Sequence, residues 1–184
     1  KQGVSANHLI VSPNMFVTKW HKPLLKEWQR SMALFSIRPM TEADVPAVIL
    51  VENQIYEFPW SAKNFLDSLR AGYHMNCMWL DDQLAGYIVM MHVVDEFHLL
   101  NLSIRLDLQG LGHGKHLLQW GMTQARMIGA TGMLLEVRPS NTTAKTLYDK
   151  EGFKLIGARK NYYPSHLGRE DAMFLFKRFA GVQE

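Results

Sequence analysis

The feature that most constrains this chain is a glycine-rich loop between a run of β-forming residues and an amphipathic helix. The β-forming run ends with Asn101-Leu-Ser-Ile104, the loop carries glycine at positions 110, 112 and 114, and a helical pattern begins at His116. Glycine lacks a Cβ atom, so such a backbone can approach a ligand closely and direct several N–H groups at it. The free N–H groups and the positive dipole end of a helix N-terminus favour anions. The pattern therefore predicts a phosphate-binding loop.

Two common phosphate-binding motifs do not fit this loop. The dinucleotide motif G-x-G-x-x-G, counted from Gly110, requires glycine where Lys115 stands, and a P-loop ending at Lys115 requires glycine at Gln109 and serine or threonine at His116. The spacing that fits is Gln-x-x-Gly-x-Gly, formed by Gln109 and the last two glycines. Taken alone, this spacing is equally compatible with an ordinary glycine-rich turn between a strand and a helix.

The composition is that of one globular domain. The 184 residues are 47% hydrophobic and 20% charged, which is enough to bury a core and too apolar for a disordered chain. The net charge of +3 suits an acidic ligand. No basic run reaches five residues, so specific nucleic-acid binding is not expected.

Cysteine use and hydropathy indicate the compartment. Cys77 is the only cysteine, which excludes disulfides within the chain and zinc held by cysteines, and its strand context predicts a packing role. No apolar run approaches the ~20 residues that cross a bilayer, and no secretory signal is visible. The eight histidines do not cluster at metal-ligand spacing. We expect a soluble cytoplasmic protein with no membrane partner and no metal.

Hydrophobic periodicity predicts the order β-α-α-β-β-β-α-β-α-β-β, which describes one mixed α/β sheet. Thr41 and Asp44 are expected to cap the first helix and Ser61 the second, whereas Gly129 and Gly152 are expected to end the last two helices. The predicted strands cover residues 35–39, 73–80, 84–93, 96–105, 133–138, 153–161 and 171–178. The predicted helices cover residues 45–55, 61–69, the segment behind the loop to about 128, and 142–150.

Residues 1–35 differ from the rest of the chain. Five basic residues accompany one acidic residue, Glu27, and a short amphipathic helix around 23–34 is the only regular pattern. We interpret residues 1–35 as a loosely packed N-terminal extension and residues 36–184 as the functional domain.

Glu136 is a candidate general base. It interrupts the apolar strand Met133–Val137, directly before the turn at which α/β sheets place their ligands. A carboxylate among apolar neighbours tends to have a raised pKa, which suits general-base catalysis near neutral pH. The alternative is a solvated glutamate paired with Arg138.

The loop and the residues around Glu136 resemble the GNAT superfamily of acetyl-coenzyme-A-dependent N-acetyltransferases. The loop is similar to the superfamily's pyrophosphate-binding loop, and Leu135-Glu-Val-Arg-Pro-Ser-Asn141 with Tyr148 is similar to its catalytic block. The resemblance implies the GNAT fold, a single mixed, mostly antiparallel sheet flanked by helices. It also implies that Glu136 is the general base, that Tyr148 is the general acid for the thiolate, and that Asn141 contacts coenzyme A. Without the resemblance, a tyrosine beside Leu147 in a helix is more often a half-buried packing residue.

The resemblance likewise implies acetyl-coenzyme A as co-substrate and a site for it. The pantetheine arm is expected beside the strand backbone, and the phosphates at the loop; these residues are Leu102, Ser103, Ile104, Gln109, Gly110, Leu111, Gly112, His113, Gly114 and Lys115. The superfamily commonly has Val-Asp-Pro before the glutamine and often a basic residue at the first glycine. This chain lacks both, so Lys115 and the backbone N–H groups are expected to contribute more.

Two further blocks are similar to the bacterial ribosomal-protein alanine N-acetyltransferases, the RimI group of this superfamily. They are Glu57-Phe-Pro-Trp-Ser61 and the C-terminal pair Arg159–Pro164 and Gly168–Ala172. In that group both segments flank the groove for a protein N-terminus. The resemblance implies that the substrate is an N-terminal alanine followed by a basic residue, on a small-subunit ribosomal protein. It places substrate binding at Glu57, Phe58, Trp60, Tyr162 and Tyr163; each aromatic residue alone is also compatible with a core or turn role.

The residues leave two other functions open. One is a GNAT enzyme that acetylates a small amine, a lysine side chain or many protein N-termini, and the other is a coenzyme-A-binding module without turnover. The aromatic hairpin favours a peptide groove, and the presence of both Glu136 and Tyr148 favours catalysis. No Ser-His-Asp or Cys-His arrangement is suggested, which favours direct transfer in a ternary complex. The sequence does not predict an oligomeric state.

Overall fold

A computed structural model describes residues 35–165 and 168–180. The expected N-terminal extension, with its helix near 23–34, falls outside the described residues apart from Phe35. The described residues form the predicted order of elements, with short 3₁₀ turns at Glu42–Asp44 and Leu106–Leu108. The strands are β1 (Ser36–Pro39), β2 (His74–Leu80), β3 (Gln83–Val93), β4 (Glu96–Ile104), β5 (Gly132–Val137), β6 (Lys154–Ser165) and β7 (Gly168–Arg178). The helices are α1 (Val45–Ile55), α2 (Ala62–Arg70), α3 (His113–Met127) and α4 (Thr142–Lys150).

The seven strands form one sheet in the order β1-β2-β3-β4-β5-β7-β6. Strands β4 and β5 are parallel, and the other neighbouring pairs are antiparallel. The prediction of a single mixed, mostly antiparallel sheet flanked by helices is confirmed.

Helices cover both faces of the sheet and divide the core in two. Ile88 and Met90 of β3 pack in the core that contains the apolar residues of α3, whereas Tyr87 and Val89 pack in the core that contains those of α1 and α2. Side chains of a strand alternate between its faces, so a strand that is covered on both sides reads as a continuous apolar run. Cys77 is fully buried in the second core, and burial raises the pKa of its thiol to about 12. The predicted packing role of Cys77 is confirmed.

The predicted cap of α2 and the predicted ends of α3 and α4 are present, whereas Asp44 makes no side-chain cap hydrogen bond to α1 and instead bonds Thr41 across the 3₁₀ turn Glu42–Asp44. The Ser61 hydroxyl accepts a hydrogen bond from the Asn64 N–H at 3.2 Å. Asp44 accepts from the backbone N–H and the hydroxyl of Thr41, both at 2.8 Å. Gly129 and Gly152 follow α3 and α4 with φ values of 91° and 86°, the left-handed conformation in which glycine ends helices.

The C-terminal hairpin is longer than predicted. Strand β6 extends to Ser165 and β7 begins at Gly168, so residues 162–165 and 168–170, which were outside the predicted strands, belong to the hairpin, and Tyr163 pairs with Glu170. The pairing shifts register between Arg159 and Tyr163, where Asn161 takes a φ of 51°. The side chain of Arg169 donates to the carbonyls of Asn161 and Tyr162, both at 2.6 Å. These bonds satisfy the carbonyl groups of the irregular backbone. They join residues seven and eight positions apart, and no local sequence pattern predicts them.

Candidate active site

A cleft opens where β4 and β5 separate. The two strands pair from Glu96 opposite Gly132 as far as Leu99 opposite Leu135. Beyond that point Leu100 is an extra residue in β4, because consecutive residues of β3 pair with Leu99 and Asn101. Such a β-bulge bends a strand. The remainder of β4 therefore runs beside β5 without pairing with it, and its backbone polar groups on that side are available to a ligand.

A cavity of about 350 Å³ occupies this cleft. Its walls come from the end of α1 and the segment after it, from β4, β5 and α4, and from the aromatic part of β6. The structure thus brings together eight of the residues predicted from the sequence: Phe58, Trp60, Leu102, Glu136, Asn141, Tyr148, Tyr162 and Tyr163.

Glu136 lies on the cavity wall with an exposed side chain. This carboxylate was expected among apolar neighbours, but the buried residues Leu135 and Val137 lie on the opposite face of β5. The alternative pairing with Arg138 is not formed among the described residues: Arg138 instead contacts Glu170 at 3.6 Å and donates to the Pro164 carbonyl at 2.8 Å. The Glu136 carboxylate is therefore directed at the cavity and not committed to a cation there.

Tyr148 lies on α4 and is 8% exposed, with its ring 5.6 Å from that of Phe153. Burial raises its pKa well above the ordinary value of 10, and the hydroxyls of Tyr56 and Tyr163 contribute in the same direction. The pKa of Tyr163 is raised to about 12, first by burial and then by the charge of Glu136. Both tyrosines thus keep their protons at neutral pH, and Tyr148 meets the requirement for a proton donor in the cavity wall.

The glycine loop begins α3, as the phosphate-binding prediction requires. Gly110 and Gly112 have φ values of 75° and 88°, and an added Cβ at either would meet no atom within 4 Å, so the space in front of the loop is open. The Gln109 side chain donates to the carbonyl of Ile104 at 2.8 Å and fixes the start of the loop. The first backbone N–H bonded within the helix belongs to His116, so those of residues 113–115 are free for an anion.

Two loop side chains are already engaged. Lys115 lies 3.4 Å from the Glu151 carboxylate, with its own side chain 58% exposed. The ring of His113 lies 4.4 Å from that of Phe35, and its pKa is lowered, first by burial and then by His116. The ring of His113, one of the loop residues predicted for the coenzyme A site, is thus partly buried. The backbone N–H of His113 remains available to an anion bound at the loop.

Asn141 was predicted to contact coenzyme A, and Glu57 was predicted to bind the substrate. The Asn141 side chain caps α4 by accepting from the Ala144 N–H at 3.1 Å, while the residue also lines the cavity. Glu57 is exposed and does not line the cavity.

The rim of the cavity is formed by the segment that contains Phe58 and by the part of β6 that contains Tyr163, and Arg138 contacts both. Its guanidinium lies 4.3 Å from the centre of the Tyr163 ring and 5.8 Å from that of Phe58. Cation–π contacts of this kind favour a fixed arrangement of aromatic rings. The two sequence blocks that were predicted to flank the substrate groove are therefore linked through Arg138, two positions after Glu136.

The sequence analysis missed a buried polar cluster under the cavity, made by Glu52, Tyr56, Tyr87, Asn101 and Ser103. Glu52 is 1% exposed and accepts hydrogen bonds from Asn101 Nδ2 at 3.3 and 3.4 Å and from the Tyr87 hydroxyl. One signal was available: Val45, Val48 and Glu52 share a helical face, so a charged residue occupies a core position of α1.

Over residues 35–165 and 168–180, no three histidine, cysteine, aspartate or glutamate side chains are grouped so that they could hold a metal ion. Within the same residues, no helix has both the length and the apolar character needed to cross a membrane.

The cleft, the loop and the open helix N-terminus fit acetyl-coenzyme A. An unpaired strand edge provides backbone partners for an extended, amide-containing arm, and the glycine loop provides N–H groups and a helix dipole for phosphates. A carboxylate and a protonated tyrosine then face one cavity, which is the set of groups that acyl transfer to an amine needs.

The similarity to known proteins agrees with this geometry. Residues 37–153 match the Acetyltransferase (GNAT) family. The ribosomal protein bS18-alanine N-acetyltransferase of Salmonella typhimurium is 34% identical over 140 residues, which cover 76% of this chain and 95% of that protein.

Solved structures show the same fold. The crystal structure of the ribosomal-protein-S18-alanine N-acetyltransferase from Escherichia coli has a TM-score of 0.77 and 31% identity, covering 82% of this chain and 97% of that one. Naa50 of Arabidopsis thaliana, in complex with the bisubstrate analogue CoA-Ac-MVNAL, has a TM-score of 0.69 at 19% identity, covering 79% and 99%. The chain belongs to the GNAT family and is an acetyl-coenzyme-A-dependent N-acetyltransferase.

Proposed function

We propose that this enzyme acetylates the α-amino group of an N-terminal alanine, with a small-subunit ribosomal protein as its substrate. The observation that carries the proposal is the convergence of Glu136, Tyr148 and the aromatic rim on one cavity at the β4–β5 cleft. The Salmonella and Escherichia coli relatives, named for alanine acetylation of a ribosomal protein, support the substrate. The proposal includes a cytoplasmic setting, where such a protein is available.

Each group in the cavity has one role in the proposed reaction. Acetyl-coenzyme A supplies an activated acetyl group as a thioester, held by the β4 edge and by the loop from Gln109 to Lys115. Glu136 removes a proton from the α-ammonium, whose ordinary pKa is roughly 7.7–8.0, so a weak base is sufficient. The amine nitrogen forms a bond to the acetyl carbon as the carbon–sulfur bond breaks, and the Tyr148 hydroxyl provides the proton that the departing thiolate takes up.

The rim explains why a peptide N-terminus is the preferred acceptor. Phe58 is 45% exposed and Tyr162 38% exposed, so both rings present apolar surface at the mouth of the cavity. The Arg138 guanidinium contacts the rings of both Phe58 and Tyr163, which favours a fixed arrangement of these two rings at the mouth. A lone small amine would leave these rings unused, whereas a peptide would cover them.

Mass spectrometry of two peptides incubated with the enzyme and acetyl-coenzyme A tests the proposal. One peptide begins Ala-Arg with a free α-amine, and the other is blocked at its N-terminus and contains an internal lysine. We expect one acetyl group on the α-amine of the first peptide and none on the second. Acetylation of the lysine peptide would replace the proposed substrate class, and binding of coenzyme A without transfer to any amine would favour a silent binding module.

A further inference from the structure

A buried glutamate lies beneath the acceptor side of the cavity and has no part in the proton transfers described above. Glu52, on α1, contributes to the cavity lining although it is 1% exposed. Its carboxylate accepts from the Trp60 backbone N–H at 2.8 Å, from the Asn101 side chain and from the Tyr87 hydroxyl. All three partners act as donors, which is the arrangement that an ionised carboxylate, a pure acceptor, requires.

This carboxylate has no cation beside it in the described part of the chain. Asp44, the other strongly buried acid, is paired with Arg38 at 2.7 Å, but no ion pair reaches Glu52 among residues 35–165 and 168–180. Removing a charge from water costs several kcal/mol, so buried charges are normally paired with opposite ones. Neutral donors stabilise the carboxylate without cancelling its charge, and its field therefore extends into the adjoining cavity.

A polar path continues from Glu52 to the cavity wall. Asn101 donates to Glu52, and its Oδ1 atom lies 3.0 Å from the Ser103 hydroxyl, which lies 3.0 Å from the hydroxyl of Tyr56. Asn101 and Tyr56 both line the cavity. Burial raises the pKa of Tyr56, and the charge of Glu52 acts in the same direction, so this hydroxyl stays neutral. This side of the cavity therefore presents neutral dipoles over one negative charge.

We propose that Glu52 selects the protonated α-amine, holding the ammonium group of the incoming N-terminus on this side of the cavity before Glu136 takes its proton. This inference rests on the proposed function. Glu52 acts through its field and through Asn101, so it is a positioning residue. The buried carboxylate of Glu52 then attracts the charged amine, and the exposed carboxylate of Glu136 accepts the proton.

Binding of two matched peptides tests the assignment without turnover. One is the Ala-Arg peptide, and the other carries a propanoyl group in place of alanine, so it lacks only the α-amine. Affinities are measured by calorimetry in the presence of coenzyme A that carries no acetyl group. We expect the wild type to prefer the amine peptide roughly ten- to a hundredfold, the range for one charge pair across a partly screened distance. Glu52→Gln should bring this ratio close to one while leaving the affinity for the propanoyl peptide unchanged.

The controls separate a charge effect from a structural one. Asp67→Asn removes an exposed carboxylate, with the same change in net charge, and should keep the wild-type ratio. If Glu52→Gln fails to fold, the double variant Glu52→Gln/Tyr87→Phe, which removes the hydroxyl facing the new amide, is used in its place. Equal weakening of both peptides by the variant would overturn the inference, as would a wild type that binds both peptides equally. If the wild type acetylates the Ala-Arg peptide in either case, the proposed function stands alone; if it neither binds nor acetylates it, both fail.

Discussion

Glu136 is the residue whose replacement tests the proposed chemistry most narrowly. Its carboxylate lies on the cavity wall, exposed and outside the ion pair that Arg138 makes with Glu170. Glu136→Gln keeps the shape of the side chain and removes the base, so we expect kcat to fall by roughly 10²–10⁴-fold, the range for general-base catalysis. Titration calorimetry should show unchanged affinity for coenzyme A. Glu42→Gln, an exposed change outside the cavity, is the control, and wild-type turnover in Glu136→Gln would remove this residue from the mechanism.

Tyr148 makes a prediction about pH. Because its pKa is raised above 10 by burial, the protonated form that donates to the thiolate persists throughout the alkaline range used in assays. We expect kcat to show no descending limb below about pH 10, the ordinary tyrosine value. Tyr148→Phe should lower kcat by on the order of 10²-fold at every pH in this range, whereas Tyr73→Phe should not. A loss of wild-type activity centred between pH 8 and 9, and absent from Tyr148→Phe, would show that Tyr148 titrates early and would contradict its role.

At the scale of elements, the start of α3 depends on backbone conformation. Gly112 takes a φ of 88° with open space around its Cα, so Gly112→Ala adds no clash but forces alanine into the left-handed region. That costs about 1–2 kcal/mol, and we expect the free energy of unfolding to fall by this amount and the KM for acetyl-coenzyme A to rise. Gly157→Ala is a matched control, since Gly157 also has open space but no positive φ. Denaturant unfolding measures the free energy of unfolding, and initial rates measure the KM for acetyl-coenzyme A. Equal KM values for the two variants would show that the left-handed conformation at Gly112 is not needed for binding.

Elements that depend on nearby residues could be predicted from the sequence, whereas those that depend on more distant partners could not. Caps and helix ends are local, and Ser61, Gly129 and Gly152 were identified because each acts on residues within four positions of itself. The Leu100 bulge that opens the cleft depends on pairing with β3, and the irregular strand at Asn161 depends on Arg169 eight residues later. Neither partner is visible in a local pattern. Eight residues that line the cavity were named from sequence motifs. The Glu52 cluster joins α1, β3 and β4, and only one charged residue at a core position of a helix indicated it.

At the scale of the whole molecule, the half-buried ion pair between Arg38 and Asp44 contributes to stability in acid. Asp44 accepts two hydrogen bonds from Arg38, at 2.7 and 2.9 Å, and this pairing lowers its pKa from 3.8 to about 2. A carboxyl whose pKa is depressed on folding contributes stability above its unfolded value, and this contribution is lost as the pH falls from about 4 to about 2. Since Arg38 is partly exposed, we expect Asp44→Asn to cost about 1–2 kcal/mol at pH 7. The difference from wild type should vanish near pH 2 in urea titrations; a difference independent of pH would contradict the assignment.

The proposed activity of this enzyme is transfer of acetyl to the α-amine of an N-terminal alanine on a ribosomal protein. The most direct measurement incubates the enzyme with unacetylated small-subunit ribosomal proteins and deuterated acetyl-coenzyme A, then maps the labelled acetyl groups by peptide mass spectrometry. On this proposal, we expect label on the N-terminal α-amine of a protein that begins with alanine, and none with Glu136→Gln. Label confined to lysine side chains, or distributed over N-termini of every kind, would contradict it.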